Sequence, residues 1–212
     1  GRLQYLRRAW TPWSVSLRIQ RWVQYAAWRR QVAGEVDIGP EFEAAFEREL
    51  YKNAVFLRNH IEWDVGGNHL VENGIALIVA GLFRGGESDW IEVGSSILAE
   101  TGMTQFLDDG CHFERSPMYH ILCVMRLLTV CDLLGRRGKP VPETIHSTVA
   151  KAVGFLQYLR PPNGRIPLLN DSVYGQTVPI DVCLAYAESV GITPVTPSHQ
   201  TGLSSPETAG YH

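Results

Sequence analysis

A chain of 212 residues, 45% of them hydrophobic, is long enough to bury one ordinary core. Its longest apolar stretch, Ile75 to Phe83, falls well short of the ~20 residues that cross a bilayer, so no membrane span is expected. The net charge is only −3, yet residues 1–34 hold seven arginines and no acid, which leaves −10 for the remainder.

Those arginines (Arg2, Arg7, Arg8, Arg18, Arg21, Arg29 and Arg30) read either as a solvated helix face or as a surface that meets an anionic polymer. No zinc-finger, helix-turn-helix or RNA-binding signature accompanies them, so nucleic acid is not an expected partner. Helical periodicity then dominates the chain. Trp13–Arg30 reads as a first helix, with Leu17, Ile19, Trp22, Val23 and Ala26 on its apolar face. Pro40 opens a second that runs to about His60. Asn68–Phe83 is a third, apolar nearly all round from Ile75. Ser88 is placed as the cap of a fourth that runs to about Thr101. After the loop "DDGCHFERSP" a fifth runs from Pro117 to Leu134, and a sixth spans Pro142–Tyr158. The long loop "RPPNGRIPLLNDSVYGQ" precedes a seventh, Val178–Val190. Residues 1–192 are taken as one helical domain and 193–212 as a linker rich in Pro, Ser, Thr and Gly. The four cysteines (Cys111, Cys123, Cys131 and Cys183) lack CxxC pairing and are read as buried free thiols.

Helices three and five carry the thinnest polar stripes and belong inside a bundle; two, four and six are more amphipathic and belong outside. Alternating inner and outer helices on short connections describe an array of antiparallel α/α hairpins. In such an array the odd-numbered helices run parallel, and their polar starts share one end.

Two of those starts are chemically loaded. "GGNHLVEN" places Asn68, His69, Glu72 and Asn73 at the head of the third helix. Asn68 reads either as an N-cap or, with His69, as half of an anion-binding pair at a helix N-terminus. In "DGCHFERSPMYH", Ser116 and Pro117 form a helix start with Tyr119 in the first turn. The helix dipole favours a phenolate there but contributes only ~0.3–1 kcal/mol. A catalytic Tyr119 therefore needs help from groups such as His112, Arg115 or His120. Asp108 and Asp109 read as turn residues rather than a glycosidase pair. His60-Ile61-Glu62 has H-x-E spacing but lacks the second half of a zinc deaminase motif.

Taken together, "GGNHLVENGIALIVAGLF" and "LDDGCHFERSPMYH" resemble the heparinase II/III-type polysaccharide lyases. Asn68 and Tyr119 lie 51 positions apart, a separation that suits the family. "WSVSLRIQRW" and "GRIPLLNDS" extend the likeness over most of residues 10–175. The resemblance implies an all-α, incomplete (α/α) toroid, followed in the family by a C-terminal β-sandwich domain absent from this chain. It implies β-elimination on a uronic-acid polysaccharide, without a diffusible cofactor or metal. Asn68, His69 and Tyr119 would be the catalytic residues. Arg18, Glu72, Asn73, Glu114, His120, Asn170 and Asp171 would form the substrate-binding set, with Asn73, Glu114 and His120 holding the others in place. The family completes its site with a histidine or tyrosine from the downstream part. A glycan-binding scaffold without turnover and an α/α-barrel glycoside hydrolase are the alternatives.

Overall fold

The computed structural model describes residues 9–32, 39–85, 89–160 and 165–196. Among them are seven helices and no strand: α1 (Pro12–Val32), α2 (Gly39–Asn59), α3 (Gly67–Phe83), α4 (Asp89–Gln105), α5 (Pro117–Arg136), α6 (Glu143–Phe155) and α7 (Ile180–Ser189). Each predicted helix is found, with boundaries shifted by a few residues. The Ser88 cap and most of the 193–212 linker lie outside the described residues, as do Arg2, Arg7 and Arg8. The chain divides into two compact units, Gly1–Leu98 and Ala99–His212, with the boundary inside α4.

In the first unit, α1 and α3 run parallel. Trp13 stacks on His69 near their starts, and Arg30 lies over Phe83 near their ends. The helix α2 runs antiparallel to α1, because Arg18 meets Asn53 while Arg29 pairs with Glu43. As expected of an inner helix, α3 buries twelve of its seventeen residues, whereas α2 buries four of twenty-one. Val15, Ile19, Leu50, Leu57, Leu77 and Ile97 belong to one shared core. Fully burying each such side chain contributes about 1.5–3 kcal/mol. Where α3 meets α4, Gly74 and Gly94 let the two backbones approach closely. A Cβ on Gly94 would stand 2.5 Å from the Gly74 carbonyl oxygen and 2.8 Å from Ile78 Cγ1.

In the second unit, α5 and α6 are antiparallel, joined where His120 meets Ala152 and Phe155. By length and composition α5 could cross a membrane; here eleven of its twenty residues are buried within the folded chain. The helix α6 buries seven of thirteen residues, more than an outer helix is expected to. Part of the cover is the segment after α7, whose Val195 N–H donates to the Ala150 carbonyl at 2.9 Å. All four cysteines are free and buried, as expected. Burial pushes the Cys131 thiol up to about 11 and Cys183 to about 12.

The Gly74–Gly94 contact leaves no room for a branched side chain. Gly94→Val is expected to lower unfolding free energy by about 1–3 kcal/mol, read as a lower urea midpoint. Gly135→Ala, in α5 with no atom within 4 Å of the added Cβ, should leave the midpoint unchanged or slightly raised.

Candidate functional site

The first unit holds Arg18, Asn68, His69, Glu72 and Asn73; the second holds Glu114, Tyr119, His120, Asn170 and Asp171. In the first, α3 begins at a glycine pair whose φ angles, 66° and 52°, are open to glycine at low cost. Gly66 takes the N-cap position with no side-chain cap bond. Asn68 therefore sits inside the first turn, which corrects the capping alternative. Asn68 and His69 are both half-buried.

Behind them lies a polar network. Asn73 is fully buried, and its carboxamide is satisfied at both ends. Its oxygen accepts the Glu62 backbone N–H at 3.0 Å, and its nitrogen donates to Glu62 Oε2 and to Ser16 Oγ, each at 3.1 Å. The other carboxylate oxygen of Glu62 lies 3.2 Å from His69 Nδ1. One face of the His69 ring is stacked on Trp13, centroids 4.4 Å apart. Glu72 is also buried, and accepts from Gln20 Nε2 at 2.6 Å.

Arg18 spends three of its five N–H groups on the protein. Nε and Nη2 donate to Asn53 Oδ1 at 2.9 and 2.6 Å, and Nη1 donates to the Ala9 carbonyl at 2.8 Å. Its guanidinium also lies 5.2 Å from the Trp10 ring and 5.8 Å from Trp22, within cation–π range. Burial lowers its pKa below the ordinary arginine value.

In the second unit, Ser116 is the N-cap of α5 with Pro117 following, as the sequence indicates. Its Oγ accepts the Tyr119 N–H at 3.4 Å and lies 3.0 Å from Ser172 Oγ, which accepts the Met118 N–H at 3.1 Å. Asn170, in the left-handed region at φ 49°, donates to the carbonyls of Glu114 and Arg115, both at 2.9 Å. These bonds pin the loop before α7 to the start of α5. Tyr119 is half-buried. Burial, and then the Asp171 carboxylate, raise the pKa of Glu114. Asp109 accepts the Cys111 N–H at 2.9 Å, the turn role expected of it.

His120 is buried, accepts the His112 N–H on Nδ1 at 3.2 Å and donates from Nε2 to the Ala152 carbonyl at 3.0 Å. Burial pushes it down to about 3, against the raising influence of that carbonyl. His112 lies among Phe106 and Phe113, and burial brings it down to about 4. Neither is a cation near neutral pH, so neither supplies positive charge to Tyr119. Glu72, expected in the substrate-binding set, is buried and bonded to Gln20, and Asn73 and His120, expected to hold the others in place, are buried and bonded to protein. Sequence reasoning missed the roles of Glu62, Ser16 and Ser172. The acid in "HIEW", just ahead of a polar helix start, is the one local signal for Glu62.

A model of the heparinase II/III N-terminus matches residues 2–189. The chain belongs to this family. Over 177 residues it is 29% identical to a heparin-sulfate lyase of Bacteroides thetaiotaomicron, covering 77% of this chain and 24% of that protein. A heparin-sulfate lyase of Bacteroides stercoris is 26% identical over 178 residues, covering 81% of this chain and 26% of its own length. A heparinase III crystal structure matches with TM-score 0.68 at 28% identity, covering 77% of this chain and 26% of that one. The chain thus spans about a quarter of the length of the relatives it matches. Its helices correspond to part of the α/α toroid region of heparinase III.

The two buried histidines make stability depend on pH. Their folded pKa values lie below the ordinary 6.5. The unfolded chain therefore takes up protons that the folded chain refuses as pH falls below about 6.5. Stability is fully present above that pH and declines toward pH 4, by about 1.4 kcal/mol per pH unit for each group. Urea titrations at pH 7 and pH 5 should show the loss, and His112→Leu should reduce the slope by about one group's share. A slope unchanged in that variant contradicts the assignment.

Proposed function

We propose that this chain supplies part of the active site of a polysaccharide lyase that cleaves a sulfated, uronic-acid-containing glycosaminoglycan by β-elimination. The observation that carries the reading is the family match, which spans both loaded helix starts, Asn68-His69 and Ser116-Pro117-x-Tyr119. The names of the relatives favour heparan-type polymers as substrate.

The chemistry follows from the acid sugar. The C5 proton of a uronate is hard to remove while its carboxylate is anionic. Hydrogen bonds from Asn68 and His69 offset that charge and let the developing negative charge spread onto the carboxyl group. Both side chains are half-buried at the α3 start, where the helix dipole adds a favourable field. As the C5 proton leaves, its electron pair forms the C4–C5 double bond and the C4–O bond breaks. Tyr119 donates its proton to the departing glycosidic oxygen, and serves as base for some substrates. The C5 proton passes to Tyr119 where it serves as base, and otherwise to the histidine or tyrosine that the resemblance assigns to the downstream part of the full-length protein. The guanidinium fork of the half-buried Arg18 suits a carboxylate or sulfate, and the exposed Asn170 and Asp171 border the Tyr119 loop.

Full-length protein incubated with heparan sulfate should release products with the ultraviolet absorbance of the new double bond. Tyr119→Phe should lower kcat by about 10²–10⁴-fold, and Asn68→Ala by about 10²–10³-fold. Saturated products would instead indicate a hydrolase drawing on Glu114 and Asp171; tight binding without turnover would indicate a glycan-binding scaffold.

A further inference from the structure

We propose that Glu62 is a positioning residue that fixes His69 with its Nδ1 protonated and its Nε2 turned to the sugar carboxylate. The proposal rests on the lyase reading for its consequence in turnover, but the clamp itself is a matter of geometry. Glu62 lies in the connection between α2 and α3, seven residues ahead of His69, with its side chain 12% exposed. Its two carboxylate oxygens have separate duties. Oε2 accepts from the buried Asn73, which is itself tied to Ser16 of α1, and Oε1 faces His69 Nδ1 at 3.2 Å. The Glu62 backbone N–H is held by Asn73 as well, and the acid cannot swing away without breaking both of its side-chain contacts.

A carboxylate carries no proton to give, so the proton of this contact sits on His69 Nδ1. Trp13 covers one face of the ring at 4.4 Å, which opposes rotation about the Cβ–Cγ bond. With one edge held by Glu62 and one face by Trp13, Nε2 is the ring's outward pole. When an anionic sugar arrives, an imidazolium there lies between two carboxylates, that of Glu62 and that of the substrate, and donates to both. Without Glu62 the ring can rotate or exchange its tautomer, and the donor to the sugar is no longer defined. Glutamine is a poor substitute. One of its two head atoms is an NH₂ group, which would face either the Asn73 NH₂ or the His69 N–H, donor against donor.

The test combines kinetics with nitrogen NMR of the histidine ring in the full-length protein, the signal assigned by its loss in His69→Gln. Wild type should show a protonated Nδ1. Glu62→Ala should leave the proton of the resting ring no longer fixed on Nδ1 and, with no carboxylate at Nδ1 to favour the imidazolium that donates to the sugar, lower kcat on heparan sulfate by about 10–100-fold, with KM little changed. Glu62→Gln, isosteric and the safer variant for folding, should lose about tenfold. Wild-type kcat in both variants, or an Nδ1 proton retained in Glu62→Ala, overturns the proposal. If wild type releases no unsaturated product, the lyase reading fails by itself, and the location of the Nδ1 proton still decides whether the clamp exists.

Discussion

A carboxamide cannot be buried in an apolar helix unless every hydrogen bond it needs is supplied. Asn73 is fully buried in α3, and leaving such a group unpaired costs about 1–3 kcal/mol. The fold meets this demand by bringing Ser16 from α1 and both the backbone and the side chain of Glu62 from the α2–α3 connection. That one constraint fixes how the connection enters α3. It also fixes the parallel register of α1 and α3 at their starts and the direction in which the Glu62 carboxylate points. The placement of His69 follows from it.

The second unit solves an analogous problem with hydroxyls. Two serines far apart in sequence, Ser116 and Ser172, share one hydrogen bond and between them accept two of the free amides at the start of α5. Asn170 adds a bracket to the backbone of the preceding loop. Tyr119 thus stands on a helix end made rigid by local caps, and the buried His120 ties the same turn to α6. In both units the groups that would face a sugar are half-buried or exposed, while Asn73 and His120 behind them are buried and hydrogen-bonded to protein.

The helices were legible because their signals are local. Pro40 and Ser116-Pro117 mark starts, and the apolar run Ile75–Phe83 marks an inner helix, all within a few residues of sequence. The Ser116 cap needed nothing more than its own turn. The Asn68 capping alternative failed for an equally local reason, since the glycine pair before it takes the cap position. What the pattern does not carry is long-range pairing. Arg18 finds Asn53 at a distance of 35 positions, and Gln20 finds Glu72 at 52. Nothing near Arg18 shows that most of its fork is committed to the protein. His120 reads as a site residue beside Tyr119 because adjacency in sequence says nothing about which way a side chain turns; helix geometry sends it inward, under Ala152. Glu62 was hidden in the same way, since its role appears only once Asn73 is known to be buried.

The proposed chemistry turns on one docking event, an acid-sugar carboxylate received at the start of α3 by an amide and a held imidazole. The most direct measurement is a crystal structure of the full-length protein with a uronate-terminated oligosaccharide. The account predicts a carboxylate oxygen within about 3 Å of Asn68 Nδ2 and another at the same range from His69 Nε2. A sugar seated elsewhere, with its carboxylate met by other side chains and the α3 start left to solvent, would contradict it.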